Sequence, residues 1–143
     1  IAKLLTDQSG SSAWFYGGAV TYANEAKMAM LGVNEETLQI HGAVSEACVL
    51  EMAEGMLNRS NTDWALSVSG IAGPDGGSNE KPVGTVWFGF ASKHRSSMAV
   101  KVQLTSYGRD SVRRKASVVA LILASQYIKG ACLLDTVKKW QYI

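Results

Sequence analysis

Apolar positions along the chain repeat with two periods, one suited to helices and one to strands. After Ser45, the run "EACVLEMAEGMLNRS" places Val49, Met52, Ala53, Met56 and Leu57 on one face at three- and four-residue spacing. The long segment "RDSVRRKASVVALILASQYIK" (109–129) does the same with Val112, Ala116, Val119, Ala120, Leu123 and Tyr127. A shorter helix, "EAKMAML" (25–31), is expected between an Asn24 N-cap and Gly32. The opening "IAKLLTDQSG" reads as the closing turns of a further helix. Strand-like runs are "AVTYA" (19–23), "DWALSVSG" (63–70), "TVWFGFAS" (85–92) and "MAVKVQLTS" (98–106), the last two forming a hairpin across "KHRSS". Strands interleaved with helices predict an α/β, three-layer α/β/α domain with a mixed sheet and helices on both faces. The tail "GACLLDTVKKWQYI" (130–143) follows neither period.

Composition sharpens this picture only in part. With 143 residues, a single domain spanning 1–143 is expected, long enough to bury roughly 68–70% of its unfolded surface. Apolar residues make up 47% and charged ones 18%, the latter below the usual ~25%. That balance indicates a folded chain with surface to spare for a partner subunit. A net charge of +2 is too small to point to nucleic acid. Cys48 and Cys132 lie far apart without a Cys/His cluster, so neither a disulfide framework nor a metal site is expected. The longest apolar run, 117–124, is too short to span a bilayer. The opening residues do not read as a signal peptide, and a cytoplasmic setting is expected.

The most unusual stretch is "SGIAGPDGGSNEKPVG" (69–84), which holds five of the 14 glycines and both prolines. Glycines let backbone N–H groups approach an anion or oxyanion, and loops at strand ends are where α/β domains bind ligands. No GxxxxGK[ST] or GxGxxG is present. The loop is either a long structural turn or a binding loop. In the second case Ser69, Gly70, Gly73, Gly76, Gly77 and Ser78 are its candidate contacts. Lys81 would meet a phosphate or point into solvent.

A second constellation surrounds "SGSSAWFYGGAVTYANEAK" (9–27). Serine needs a neighbouring base to act as a nucleophile. Of the two histidines, His94 falls in the presumed hairpin turn as a solvated residue and His41 precedes Gly42 in a loop without an evident acidic partner, so a Ser-His-Asp arrangement fits poorly. Lysine is the alternative base, provided it is neutral. Bringing a lysine from ~10.4 to the range of a working base takes about 4 kcal/mol, whereas a helix start supplies only about 0.3–1 kcal/mol. Burial must supply the rest. Ser11 and Ser12 precede the 19–23 run, Lys27 follows it, and Tyr22 lies between. The pattern permits a Ser–Lys pair, and equally an ordinary surface lysine at a helix start. The pair requires the Lys27 amine within hydrogen-bonding reach of a serine hydroxyl.

The segments "GSSAWFYGGAVTYANEAKMAMLGV", "HGAVSEACVLEMAEGML" and "LSVSGIAGPDGGSNEKPVGTVWFGFA" together resemble the CinA C-terminal domain family, with likeness running from Ile1 to about Tyr127. The resemblance implies a three-layer domain, a homodimer, and hydrolysis of the amide of a pyridine nucleotide, nicotinamide mononucleotide, without metal or cofactor. Carried over by motif, it makes Ser12 the nucleophile, Lys27 the base and Tyr22 the residue orienting them, with Ser11, the glycine loop and Lys81 around the substrate. Family members carry an "ESCTGG"-like turn just ahead of the helix that ends in "IAKLLTD", and this sequence begins after that point. The rival expectation is a catalytically impaired relative that serves as a nucleotide- or protein-binding module. "GRDSVRRKA" places Arg109 and Arg113 four residues apart at the start of the last helix, as a solvated basic face or a phosphate contact.

Overall fold

The computed structural model describes residues 1–105, 107–138 and 140. Six helices and three strands follow in the order α1 (Ala2–Thr6), α2 (Asn24–Leu31), α3 (Glu35–His41), α4 (Glu46–Arg59), β1 (Trp64–Gly70), β2 (Thr85–Ser92), β3 (Met98–Gln103), α5 (Arg109–Ile128) and α6 (Leu133–Lys138). A 3-10 turn, Ser11–Ala13, follows α1. The sheet has the order β1-β2-β3. Among the described residues none of the helices is long and apolar enough to cross a membrane.

The two faces of the sheet are built differently, and the difference follows from the alternation along β2. Val86, Phe88 and Phe90 point to one side, opposite Val102, Val100 and Met98 of β3. With Leu66 and Val68 of β1 they meet Val112, Ala116, Ala120, Leu123 and Tyr127 of α5. Those positions are the apolar helix face expected from the sequence. The other side carries Gly89 and Ala91 opposite Ser67 and Ala65, and here α4 packs through Ala53 and Leu57. Small residues allow the α4 backbone itself to approach. The Ser67 hydroxyl donates to the Val49 carbonyl at 2.5 Å, and a side chain at Gly89 would run into that same carbonyl. Helix α4, sheet and α5 are therefore the three layers.

Helix α4 makes a second close approach. Gly55 faces the carbonyl of Leu31, at the end of α2, with no room for a Cβ. Helix α2 ends at Gly32, whose φ of 74° suits a residue without a side chain. Leu31, Val33, Cys48 and Met52 close a small core between the two helices.

Several expectations change. The sheet is antiparallel throughout its three strands, not mixed. Residues 19–23, expected as a further strand, form none. They find no neighbouring strand, and Val20 and Tyr22 point outward. Helix α2 begins one residue early, with Ala23 as its N-cap and Asn24 inside the first turn. Helix α3 is an element that the apolar period does not mark, and His41, expected in a loop, is its last residue; Asn34 precedes it and Glu35 and Glu36 fill its first turn, where acidic residues are favourable. In the tail, α6 returns Leu133 to full burial in the α5 core. Ser106, expected to end a strand, and Lys139 and Gln141–Ile143 of the tail lie outside the described residues.

Replacing Gly55 by Ala separates packing from propensity. Propensity alone would stabilise α4 by roughly 1 kcal/mol. The blocked approach to Leu31 should instead give a net loss of about 1–3 kcal/mol. Thermal melts read the sign directly, and a raised melting temperature would contradict the packing.

Candidate active site

Lys27 is the organising side chain. It lies in the first half of α2 and is 6% exposed, covered by the α2–α4 contact. Its Nζ donates to the Thr21 carbonyl at 2.8 Å and to the Tyr22 carbonyl at 3.3 Å. These carbonyls belong to the run expected as a strand. Their hydrogen-bonding capacity is taken by an amine instead of a neighbouring strand, which ties the approach to α2 onto the helix it precedes. Burial pushes the Cys48 thiol above its ordinary range, with nearby Lys27 opposing that rise and Glu51 adding to it. The lysine thus sits beside the α2–α4 core.

Tyr22 turns its side chain the other way and is 78% exposed. Its hydroxyl accepts a hydrogen bond from Arg109 Nη2 at 3.2 Å. Arg109 Nη1 also donates to the Gly73 carbonyl at 3.1 Å. One guanidinium at the start of α5 therefore joins the 19–23 run to the glycine loop, which are distant in sequence. Ser11 is half-buried and Ser12 exposed on the 3-10 turn. Among the described residues the hydrogen-bond partners of the Lys27 amine are the two carbonyls, and Ser12 is not one of them. Helix α1 packs chiefly on the 3-10 turn, and Trp14, Tyr16 and Val20 beyond it are exposed.

The glycine loop leaves the sheet through a closed neck. Ile71 N–H donates to the Thr85 carbonyl and Gly84 N–H to the Ile71 carbonyl, at 2.9 and 2.8 Å. Ser69 and Gly70 are the last residues of β1, paired with Trp87 and Val86. Gly73 is buried, with φ of 78°, and Gly76, Gly77 and Ser78 are exposed. A tight turn closes the tip: Ser78 N–H donates to the Lys81 carbonyl (3.0 Å), and the Ser78 hydroxyl accepts from Lys81 N–H (3.1 Å). Pro74, Asp75, Gly76, Gly77, Ser78 and Val83 surround an open cavity of about 470 Å³. Lys81 reaches across to donate to the His41 carbonyl at 2.8 Å. It tethers the loop to the end of α3 rather than standing free in solvent.

The sequence offers Arg109 as part of a basic face or as a phosphate contact, and gives no sign of Glu51. Arg109 is visible as a cation at a helix start, but its partners come from remote segments. Glu51 anchors α3 to α4. Asn34 N–H donates to one carboxylate oxygen (2.8 Å), while Asn34 Nδ2 and Thr37 Oγ1 donate to the other (3.1 and 2.6 Å). Burial opposes the charge of Glu51, but hydrogen bonds from Thr37 and Asn34, helped by His41, hold its carboxyl below the usual carboxylate range.

These features define a three-layer α/β/α domain with a glycine-rich loop at one end of its sheet and a buried lysine in a neighbouring helix. The CinA C-terminal domain family matches residues 1–128, and the chain belongs to that family. It is 59% identical over 121 residues to nicotinamide-nucleotide amidohydrolase PncC of Escherichia coli strain K12, covering 85% of this chain and 73% of the relative. Among solved structures, the competence/damage inducible protein CihA from Agrobacterium tumefaciens superposes with a TM-score of 0.82 at 43% identity, covering 85% of this chain and 74% of that one. The competence damage-inducible protein A from Klebsiella pneumoniae gives 0.83 at 38%, covering 90% and 78%.

The Glu51 anchor has a pH signature. Its carboxyl titrates lower in the folded chain than its unfolded value of roughly 4.3, so its contribution is complete above that value. It fades as pH falls through the lowered folded value. Glu51→Gln should flatten this acid-side loss in urea melts run between about pH 3 and 7. At neutral pH it should lower stability by about 1–2 kcal/mol. Parallel pH profiles for the two proteins would remove Glu51 from this role.

Proposed function

We propose that the protein hydrolyses the carboxamide of nicotinamide mononucleotide, giving nicotinic acid mononucleotide and ammonia. The observation that carries this reading is the 59% identity over 121 residues to a protein named for that activity. The burial of Lys27 agrees with it, since a lysine base needs shelter from water.

In the proposed mechanism, Ser12 Oγ attacks the carboxamide carbon as Lys27 Nζ takes its proton. The C–N bond then breaks, and the departing nitrogen takes a proton from Lys27 and leaves as ammonia. The resulting ester on Ser12 is opened by water, with Lys27 again accepting the proton. The free acid is released and Ser12 recovers its hydrogen. Tyr22 orients the pair. Backbone N–H groups of the glycine loop, with Ser69, face the developing oxyanion, and one such donor is typically worth ~10²–10³ in rate. Catalytic hydrogen bonds often tighten only when substrate binds, and on this reading substrate closes the step between Ser12 and Lys27.

We further read the protein as a cytoplasmic homodimer. Trp14, Tyr16 and Val20 are 56%, 69% and 87% exposed, and neighbouring exposed apolar residues of this size suit a subunit interface.

Ammonia release from nicotinamide mononucleotide tests the reaction. Ser12→Ala and Lys27→Ala should each lower kcat by at least roughly 10²–10⁴ while circular dichroism shows a folded chain. Turnover retained in either variant would overturn its assigned role.

A further inference from the structure

The glycine loop makes its shape internally and takes its orientation from outside. Ser78 and Lys81 exchange two hydrogen bonds across the tip. A Cβ at Gly73 or Gly77 would meet Val83 at 2.7 or 2.9 Å, so the two sides of the loop close on each other. Among the described residues, the hydrogen bond that joins residues 74–81 to the rest of the molecule runs from Lys81 Nζ to the His41 carbonyl. His41 is the last residue of α3, and a last-turn carbonyl has no partner within its own helix. A cation is favourable there. Helix α3 is fixed to α4 through Glu51, and α4 meets α2, which carries Lys27, at Gly55. A continuous path thus runs from the loop tip to the candidate base. Packing does not duplicate the first link of that path. Ile40, His41, Ser45, Glu80, Lys81 and Trp87 line an open cavity of about 380 Å³ between loop and helices, and the lysine side chain spans it.

We propose that Lys81 is a positioning residue. Its amine, seated on the end of α3, holds the loop's backbone donors at their working distance from Ser12 and Lys27, and it does not touch the nucleotide. The inference rests on the proposed amidohydrolase reading for the task of the loop. It replaces the substrate contact that the resemblance implied for Lys81 with a strap. An amine drawn off to a substrate phosphate would release the tip it holds.

Two variants test the strap: Lys81→Met removes the amine at nearly constant length, and Lys81→Arg keeps a cationic donor. In Lys81→Met, kcat for ammonia release from nicotinamide mononucleotide should fall roughly 10-fold, and Lys81→Arg should recover most of it. Hydrogen exchange at the amides of residues 75–80 should quicken by roughly 10-fold in Lys81→Met and slow again in Lys81→Arg. Calorimetry with nicotinic acid mononucleotide and nicotinic acid riboside supplies the reading that a substrate contact would move. A strap acts on both ligands alike, so Lys81→Met should leave the ratio of their affinities where the unmodified protein has it. A shrunken ratio would make Lys81 a phosphate contact and overturn the inference. Unchanged exchange, or an unchanged kcat, would overturn it as well. Should the unmodified protein release no ammonia, the amidohydrolase reading falls, while exchange and the affinity ratio still decide for or against the strap.

Discussion

Backbone-to-backbone proximity at α4 is the constraint on which the remaining architecture rests. At Gly89 the helix lies against the central strand, and at Gly55 it lies against the end of α2. Neither contact leaves room for a side chain. Together they fix α2 relative to the sheet and bury Lys27. The candidate base is sheltered because two glycines let three elements converge. The opposite face of the sheet follows another rule, since Phe88, Phe90 and Tyr127 fill it with side-chain volume. One face supplies bulk apolar burial, the other positional accuracy.

The helices with a strong apolar period, α4 and α5, were readable from their sequences because each buries one face against the sheet. The β2–β3 hairpin was equally plain. What the pattern misjudged was "AVTYA" (19–23), whose β-forming residues join no strand. Local preference can specify an extended backbone; it cannot supply the neighbouring strand. Helix α3 escaped notice because it has no fully buried residue. Its support comes from Glu51, seventeen positions beyond Asn34, and no local window contains both.

The candidate site divides in the same way. Residue types and their order marked Ser12, Tyr22 and Lys27, and the glycine loop drew attention by composition. Their connections did not show. Arg109 meets Tyr22 and Gly73 only after the sheet brings chain segments 87 and 36 positions apart into contact. Lys81 presented two equal alternatives, and the outcome was a carbonyl forty residues away. Side-chain identity is local information, whereas partnership is a property of the fold.

The closed neck of the glycine loop has a wider consequence. Hydrogen bonds joining Ile71 to Thr85 and Gly84 close the ladder before the chain departs, and the two ends of the excursion from 72 to 83 stay tied to the sheet layer: Ala72 packs on the α5 core, and the Pro82 and Val83 carbonyls accept from Thr85 N–H and Gln103 Nε2. Farther out, Arg109 and Lys81 add polar anchors at Gly73 and at the end of α3. Variation at the exposed tip, Asp75 to Glu80, can therefore change the loop's outer surface while the layered core stays intact. Surface change and foldability become separately adjustable in this scaffold.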